Sequence, residues 1–250
     1  MPELQRAMAP CDRPRSFLDL KAFASDARQG TAPATSASDD RFLASRRLAD
    51  LLPGPVTVGV IALDAANGAV SSHPADEFVI VSEGAIMFQQ GERAFTLGPG
   101  GSAVLPRGSA FMWSTQGSTS IVFMRCEGGN VTDRSLVPID PSPSLAPSGA
   151  PAAELLLTPA PVCRNFTDFR SSDATFTCGT WDSTPYHRIA MRYAHYELMH
   201  LLEGSVTFVD DTGRSGTFSR GDIFLVEQRA QCSWESRGNV AKVYAIYRPT

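Results

Sequence analysis

Two glutamates are the residues of this chain best placed to do chemistry. Glu77 stands seven residues before Gly84, and Glu197 seven residues before Gly204. Each opens an apolar, strand-like run, EFVIVSEG or ELMHLLEG. A carboxylate at such a place can ligate a metal, act as a general acid or base, or simply be a buried charge satisfied by hydrogen bonds. The residues alone leave these readings evenly weighted. His73 lies close to Glu77, and the two could hold a divalent ion if water or substrate supplied the other ligands. Residues two apart on a strand share a face. Tyr193, His195 and Glu197 therefore share parity and could face one cavity with Cys232, the alternative for His195 being an exposed turn. His200 has the opposite parity, which points to an outer face or an interface. Trp113, Trp181 and Trp234 are core packing or an aromatic ligand lining. Cys232 reads as a small buried hydrophobe rather than a nucleophile. Arg188 and Arg192 either meet an anionic ligand or sit in solvent.

These residues belong to two copies of one pattern. Glu197 follows Glu77 by 120 residues, Gly204 follows Gly84 by 120, and Gly179 follows Gly59 by 120. Beyond the hairpin the offset becomes 121, for Gly100 and Gly221 and for Trp113 and Trp234. The slip falls where QQGER in the first copy faces the longer VDDTGR in the second, and a hairpin turn tolerates an extra residue. A constant offset with one slip in a turn argues for a module used twice.

Composition narrows the function classes. The chain has 250 residues, 43% hydrophobic and 19% charged, as in ordinary globular proteins. A net charge of −4 lacks the basic footprint of nucleic-acid binding, and no apolar run is long enough to span a membrane. Five cysteines without close pairing fit a reducing cytoplasm, and the N-terminal residues lack a secretory apolar core.

Residues 1–40 read as an irregular N-terminal arm, in which FLDLKAFA could form a short docked helix. DRFLASRRLADLL has apolar residues near a helical period, with Asp39 or Asp40 as cap, and Pro53-Gly54-Pro55 stops it. Short strands follow, with Asn67-Gly68 as a hairpin signal. No amphipathic helix separates the strands, which excludes a βαβ architecture and favours an antiparallel barrel or sandwich. The expected division is 1–40 arm, 41–137 first module, 138–160 Pro/Ser-rich linker and 161–250 second module; LLLTPAP could add a strand to the neighbouring sheet.

The pattern E-x6-G, a hairpin, then G-x5-P-x-G resembles the cupin superfamily. The first module shows Glu77, Gly84, Gly100, Pro106 and Gly108 in register; the second shows Glu197, Gly204 and Gly221. CGTWD, YELMHLLEG, RGDIF and CSWES resemble the group that includes ureidoglycine aminohydrolase and the ethanolamine-utilisation cupin. The resemblance covers about residues 56–126 and 175–248. It implies an all-β fold of two tandem double-stranded β-helix (jelly-roll) barrels, with a metal site inside each. The four ligand positions fall on Ser71, His73, Glu77 and Phe111, and on Met191, Tyr193, Glu197 and Cys232. Only His73 and Glu77 make a weak metal candidate; the second set departs from the pattern throughout except at Glu197. Glu227 and Arg229 replace the Pro and Gly of the later motif, so that turn is expected to be reshaped. The implied function is a small-molecule-binding bicupin with degenerate metal sites, its reaction unassigned, carrying no cofactor or one weakly bound divalent ion. The alternative is a metal-dependent hydrolase or isomerase of a small polar metabolite. The expected pocket combines Glu77, Phe111, Trp113, Met191, Tyr193, His195, Glu197, Cys232 and Trp234. Apolar outer-face residues such as Phe78, Ile80 and Leu198 suggest a homodimer joined through sheets.

Overall fold

The computed structural model describes residues 13–33, 40–128 and 133–249. The arm begins with β1 (Phe17–Asp19) and α1 (Leu20–Ser25), followed by α2 (Arg41–Ala44) and β2 (Arg46–Leu48). The first barrel continues with β3 (Val56–Leu63), β4 (Ala66–Val70), β5 (Asp76–Glu83), β6 (Ile86–Gln90), β7 (Arg93–Leu97), β8 (Ser102–Leu105), β9 (Phe111–Thr115) and β10 (Thr119–Cys126). The connection holds β11 (Val137–Pro138), β12 (Ala146–Ser148) and a single 3-10 turn at Ala153–Leu155. The second barrel comprises β13 (Cys163–Arg170), β14 (Phe176–Ser183), β15 (Tyr186–Arg192), β16 (Tyr196–Glu203), β17 (Ser205–Val209), β18 (Ser215–Ser219), β19 (Ile223–Val226), β20 (Gln231–Ser236) and β21 (Val240–Tyr247).

Each barrel is two facing antiparallel sheets. The first uses the order β11-β8-β5-β10-β3-β2 against β4-β9-β6-β7; the second uses β1-β19-β16-β21-β14-β13-β12 against β15-β20-β17-β18. Pairing registers repeat with the sequence. Glu77 lies opposite Leu105 and Arg125, and Glu197 lies opposite Val226 and Ile246, the same two places in the second copy. The architecture is two tandem jelly-roll barrels, as expected.

The central strands are buried on both faces, which is why they read as continuous apolar runs instead of alternating ones. On β5, Val79 and Val81 enter the core of the first barrel, whereas Phe78 and Ile80 enter a second core between the barrels. On β16, Met199 and Leu201 fill the second barrel, and Leu198 joins the shared core. The large sheets of the two barrels thus pack back to back. Phe78, Ile80 and Leu198, the residues that suggested a homodimer, are fully buried within the single chain. His200 takes the outer face as its parity requires; a Cβ on Gly100 of the first barrel would lie 3.0 Å from its Nε2.

Several local expectations change. FLDLKAFA splits: Phe17–Asp19 pairs with β19 of the second barrel, and only the following six residues are helical. Leu20 and Phe23 of that helix enter the inter-barrel core, and the Arg47 guanidinium stacks on Phe23 and donates to the carbonyls of Phe23, Asp26 and Gln29. The rest of the arm's loop lies partly outside the described residues. The helix expected over residues 40–52 stops after one turn. Asp40 caps it, but from Arg46 the chain pairs with β3 and turns inward, a tertiary demand that overrides the helical period. Asn67-Gly68 forms no hairpin, because β3 and β4 belong to different sheets and the chain crosses between them at residues 64–65. Gly68 is required instead by close approach: a Cβ there would come within 2.7 Å of the Trp113 indole nitrogen and 2.5 Å of the Asp40 carboxylate. LLLTPAP adds no strand; Leu156 makes one bridge to Arg188.

Candidate functional site

In the first barrel β5 points Glu77 inward, and β2 delivers Arg46 to meet it. The guanidinium donates to both carboxylate oxygens, at 2.6 and 2.9 Å. Burial alone would raise this carboxyl's pKa, but Arg46 and His73 hold it well below the usual carboxylate range. His73 Nδ1 donates to the Ala75 carbonyl at 2.7 Å, so its Nε2 is left facing Glu77 at 3.6 Å. The remaining interior is filled. Phe42, carried in by α2, meets Phe88 and Phe111 edge to face at 5.8 and 5.7 Å. Trp113 closes this cluster and donates its indole N–H to Asp40.

The second barrel uses the same inward glutamate with a different partner. Lys242 on β21 places its ammonium 2.8 Å from Glu197 Oε1, and His195 Nε2 lies 3.3 Å from Oε2. Burial opposes ionisation of Glu197, yet Lys242 and His195 more than offset it and its pKa falls well below the usual value. The ammonium also lies over the rings of Trp181 and Trp234, at 4.6 and 5.1 Å. Tyr186 stacks on Trp234 at 5.5 Å. On β15 the buried Arg188 donates to the Tyr193 hydroxyl at 2.6 Å and to the Cys232 carbonyl at 2.9 Å. Above these groups opens a cavity of about 640 Å³, bounded also by Asn165, Thr167 and Tyr244.

The structure therefore divides the expected pocket. Met191, Tyr193, His195, Glu197 and Trp234 line the second-barrel cavity. Cys232 is fully buried beside it, and its burial pushes the thiol up to about 12. Glu77, Phe111 and Trp113 belong to the packed interior of the first barrel. His195 does lie in the turn between β15 and β16, but its side chain is largely buried there and sits 3.3 Å from Glu197. Arg46 and Lys242 were missed. The signal available for Lys242 was a cation inside the apolar run of β21, where the equivalent residue of the first copy is Ile121.

Neither interior fits a metal ion. Among the described residues no three His, Cys, Asp or Glu side chains gather as a donor set. At Glu77, the candidate with His73, the guanidinium occupies both oxygens a metal would need. At Glu197 an ammonium is already bound, the Tyr193 phenol accepts from Arg188, and the Cys232 thiol resists the deprotonation that metal binding requires. The weak site expected at His73 and Glu77 is thus replaced by an internal ion pair.

The turn expected to be reshaped is preserved. Arg229 takes φ 73° where its counterpart Gly108 takes φ 79°. The N–H of each donates 2.7 Å to an equivalent carbonyl, Tyr193 or His73.

The fold is that of the cupins. Residues 170–244 match the family model of the EutQ-like cupin domain. A protein of unknown function of the DUF861 family from Pseudomonas syringae is similar over 94% of this chain and 100% of its own, at 28% identity and a TM-score of 0.83. A cupin 2 conserved barrel protein from Leptotrichia buccalis superposes over 96% of this chain and all of its own, with 8% identity and a TM-score of 0.54. A salicylate 1,2-dioxygenase variant from Pseudoaminobacter salicylatoxidans aligns over 77% of this chain and 71% of its own, at 12% identity and a TM-score of 0.50. No curated protein matches the sequence.

Proposed function

We propose that this chain is a small-molecule-binding bicupin whose ligand occupies the second barrel, and that a lysine ammonium stands there in place of a metal ion. The observation that carries this reading is the Lys242–Glu197 pair at the base of the cavity. The carboxylate that would ligate a metal is committed to a tethered cation, while the space above stays open. The first barrel, filled by Phe42, Phe88, Phe111 and Trp113 around Arg46 and Glu77, serves as a packed support. The aromatic walls and few convergent polar groups of the second barrel are the usual makings of a small-molecule site. No helix of the described residues is long and apolar enough to cross a membrane. The reading assigns no reaction.

Elemental analysis of the purified protein, alone and after incubation with manganese, zinc, iron and nickel, tests the ammonium substitution. Substoichiometric metal throughout is expected. Stoichiometric metal that is lost in Glu197→Gln would overturn it.

A further inference from the structure

We infer that the second-barrel cavity takes a small organic carboxylate, anchored on Arg188; this rests on the reading of that cavity as the ligand site. Arg188 is only 4% exposed. Its guanidinium donates to the carbonyls of Ile189 and Cys232 and to the Tyr193 hydroxyl, all of them neutral. Among the described residues no carboxylate pairs with it. The other cations buried in the barrels do have one: Arg46 holds Glu77 and Lys242 holds Glu197. A desolvated guanidinium without a counter-charge is costly, and an anion arriving in the cavity would relieve that cost. The planar fork of arginine also matches a carboxylate in two-point contact.

The surroundings agree in sign and shape. The cavity is bounded by Arg170, Arg188, Lys242 and Arg248 against one carboxylate, Glu197. Arg170 and Arg248 are exposed, so the positive field reaches solvent and draws anions inward. Trp181, Tyr186 and Trp234 offer ring surface to a flat apolar body. A carboxylate bearing such a body meets the guanidinium at one end and the aromatic wall along its length.

Benzoate and benzamide make a matched pair of probes, alike in shape and different in charge. Binding is followed by calorimetry and by tryptophan emission, since Trp181 and Trp234 line the site. The expected result is that benzoate binds about tenfold or more tightly than benzamide. That preference should fall within about twofold in Arg188→Gln and persist in part in Arg188→Lys, which keeps the charge. Far-UV circular dichroism confirms that each variant is folded. Should Arg188→Gln fail to fold, loss of the preference at high salt in the wild type, against retention of benzamide binding, carries the test. Equal binding of the two probes, with emission changes lost in Trp234→Phe, would overturn the anion inference and leave the cavity reading standing. A benzoate preference unchanged in Arg188→Gln would overturn the assignment to Arg188. Binding of neither probe would overturn the inference, and binding that survives in Trp234→Phe but not in Trp113→Phe would overturn the cavity reading as well.

Discussion

Replacing Lys242 with methionine separates an ion pair that stabilises from a carboxylate that burial alone would destabilise. The ammonium is 2.8 Å from Glu197, and both side chains are less than a tenth exposed. At an effective dielectric near 20 their attraction is roughly 6 kcal/mol, set against a desolvation cost of several kcal/mol per ion. The pair as a whole is therefore worth little, but breaking it leaves a buried charge, at a cost of about 3–5 kcal/mol. His195 still touches the carboxylate at 3.3 Å, which favours the lower end. About 3 kcal/mol in a chain of this size lowers Tm by roughly 6–12 °C. The pH dependence is more discriminating. In the wild type the Glu197 pKa is depressed below its ordinary 4.5, so its contribution is present above that value and lost as pH falls through the folded pKa. In Lys242→Met burial becomes the dominant influence and raises the pKa. The variant's contribution is then lost as pH rises through that raised value, and its deficit against wild type widens between about pH 5 and pH 8. Urea unfolding across that range, with Lys242→Met/Glu197→Gln as control, measures this. The double variant should recover most of the loss, because both charges have gone. A deficit that is flat or shrinks with pH, or a double variant no more stable than the single one, would refute the reasoning.

In the first barrel, Arg46→Met should cost about 4–5 kcal/mol by urea unfolding, since Glu77 is fully buried with both oxygens on that guanidinium; benzoate binding in the folded variant should not change. Burial lowers the pKa of His200 from its ordinary 6.5, so its stabilising share is present above that value and lost as pH falls through the folded pKa. His200→Gln should accordingly flatten the dependence of Tm on pH between about 7 and 5 relative to wild type. Gly68→Ala should destabilise by about 1–3 kcal/mol in the same unfolding assay, because the new methyl meets the Trp113 indole and Asp40.

The repeat was legible because it rests on features every copy must keep. A glutamate opens each central strand, and Gly59 and Gly179 sit where a Cβ would strike the neighbouring strand, at the Arg47 and Phe166 carbonyls. The inward parity of Glu77 and Glu197 followed from the period of two along a strand. What the sequence withheld were the partners. Arg46 falls in a stretch of helical periodicity, and only its pairing with Ile61 of β3 brings it inside the barrel. The back-to-back packing was also hidden, because an apolar outer face looks the same whether a second barrel of the same chain or a second molecule covers it. Tyr193, His195 and Glu197 do line one cavity, but Tyr193 and His195 reach it from the turn between β15 and β16 and not by strand parity. Nor could parity show that the equivalent space in the first barrel is full.

The reason one interior is full and the other open lies in which strand supplies the cation. The two cations are not copies of each other. Arg46 pairs with Ile61, and the equivalent pair in the second barrel is Asn165 with Trp181. Lys242 pairs with Trp181, and the equivalent pair in the first barrel is Ile121 with Ile61. Each barrel has thus neutralised the same inward glutamate from a different strand, three strands away in the first and next door in the second. In the first, a long guanidinium reaches in from the outermost strand of the large sheet, and Phe42, four residues earlier, follows it into the core. In the second, the equivalent strand β13 is flanked by β12 and holds the short Asn165, which lines the cavity, while the neutralising charge comes from β21, the central strand next to the glutamate's own. Neutralisation from the central strand leaves the side of the barrel by Asn165 unfilled. The space occupied by Arg46 in the first copy is therefore available to a ligand in the second, where, among the described residues, the buried Arg188 has no carboxylate of its own.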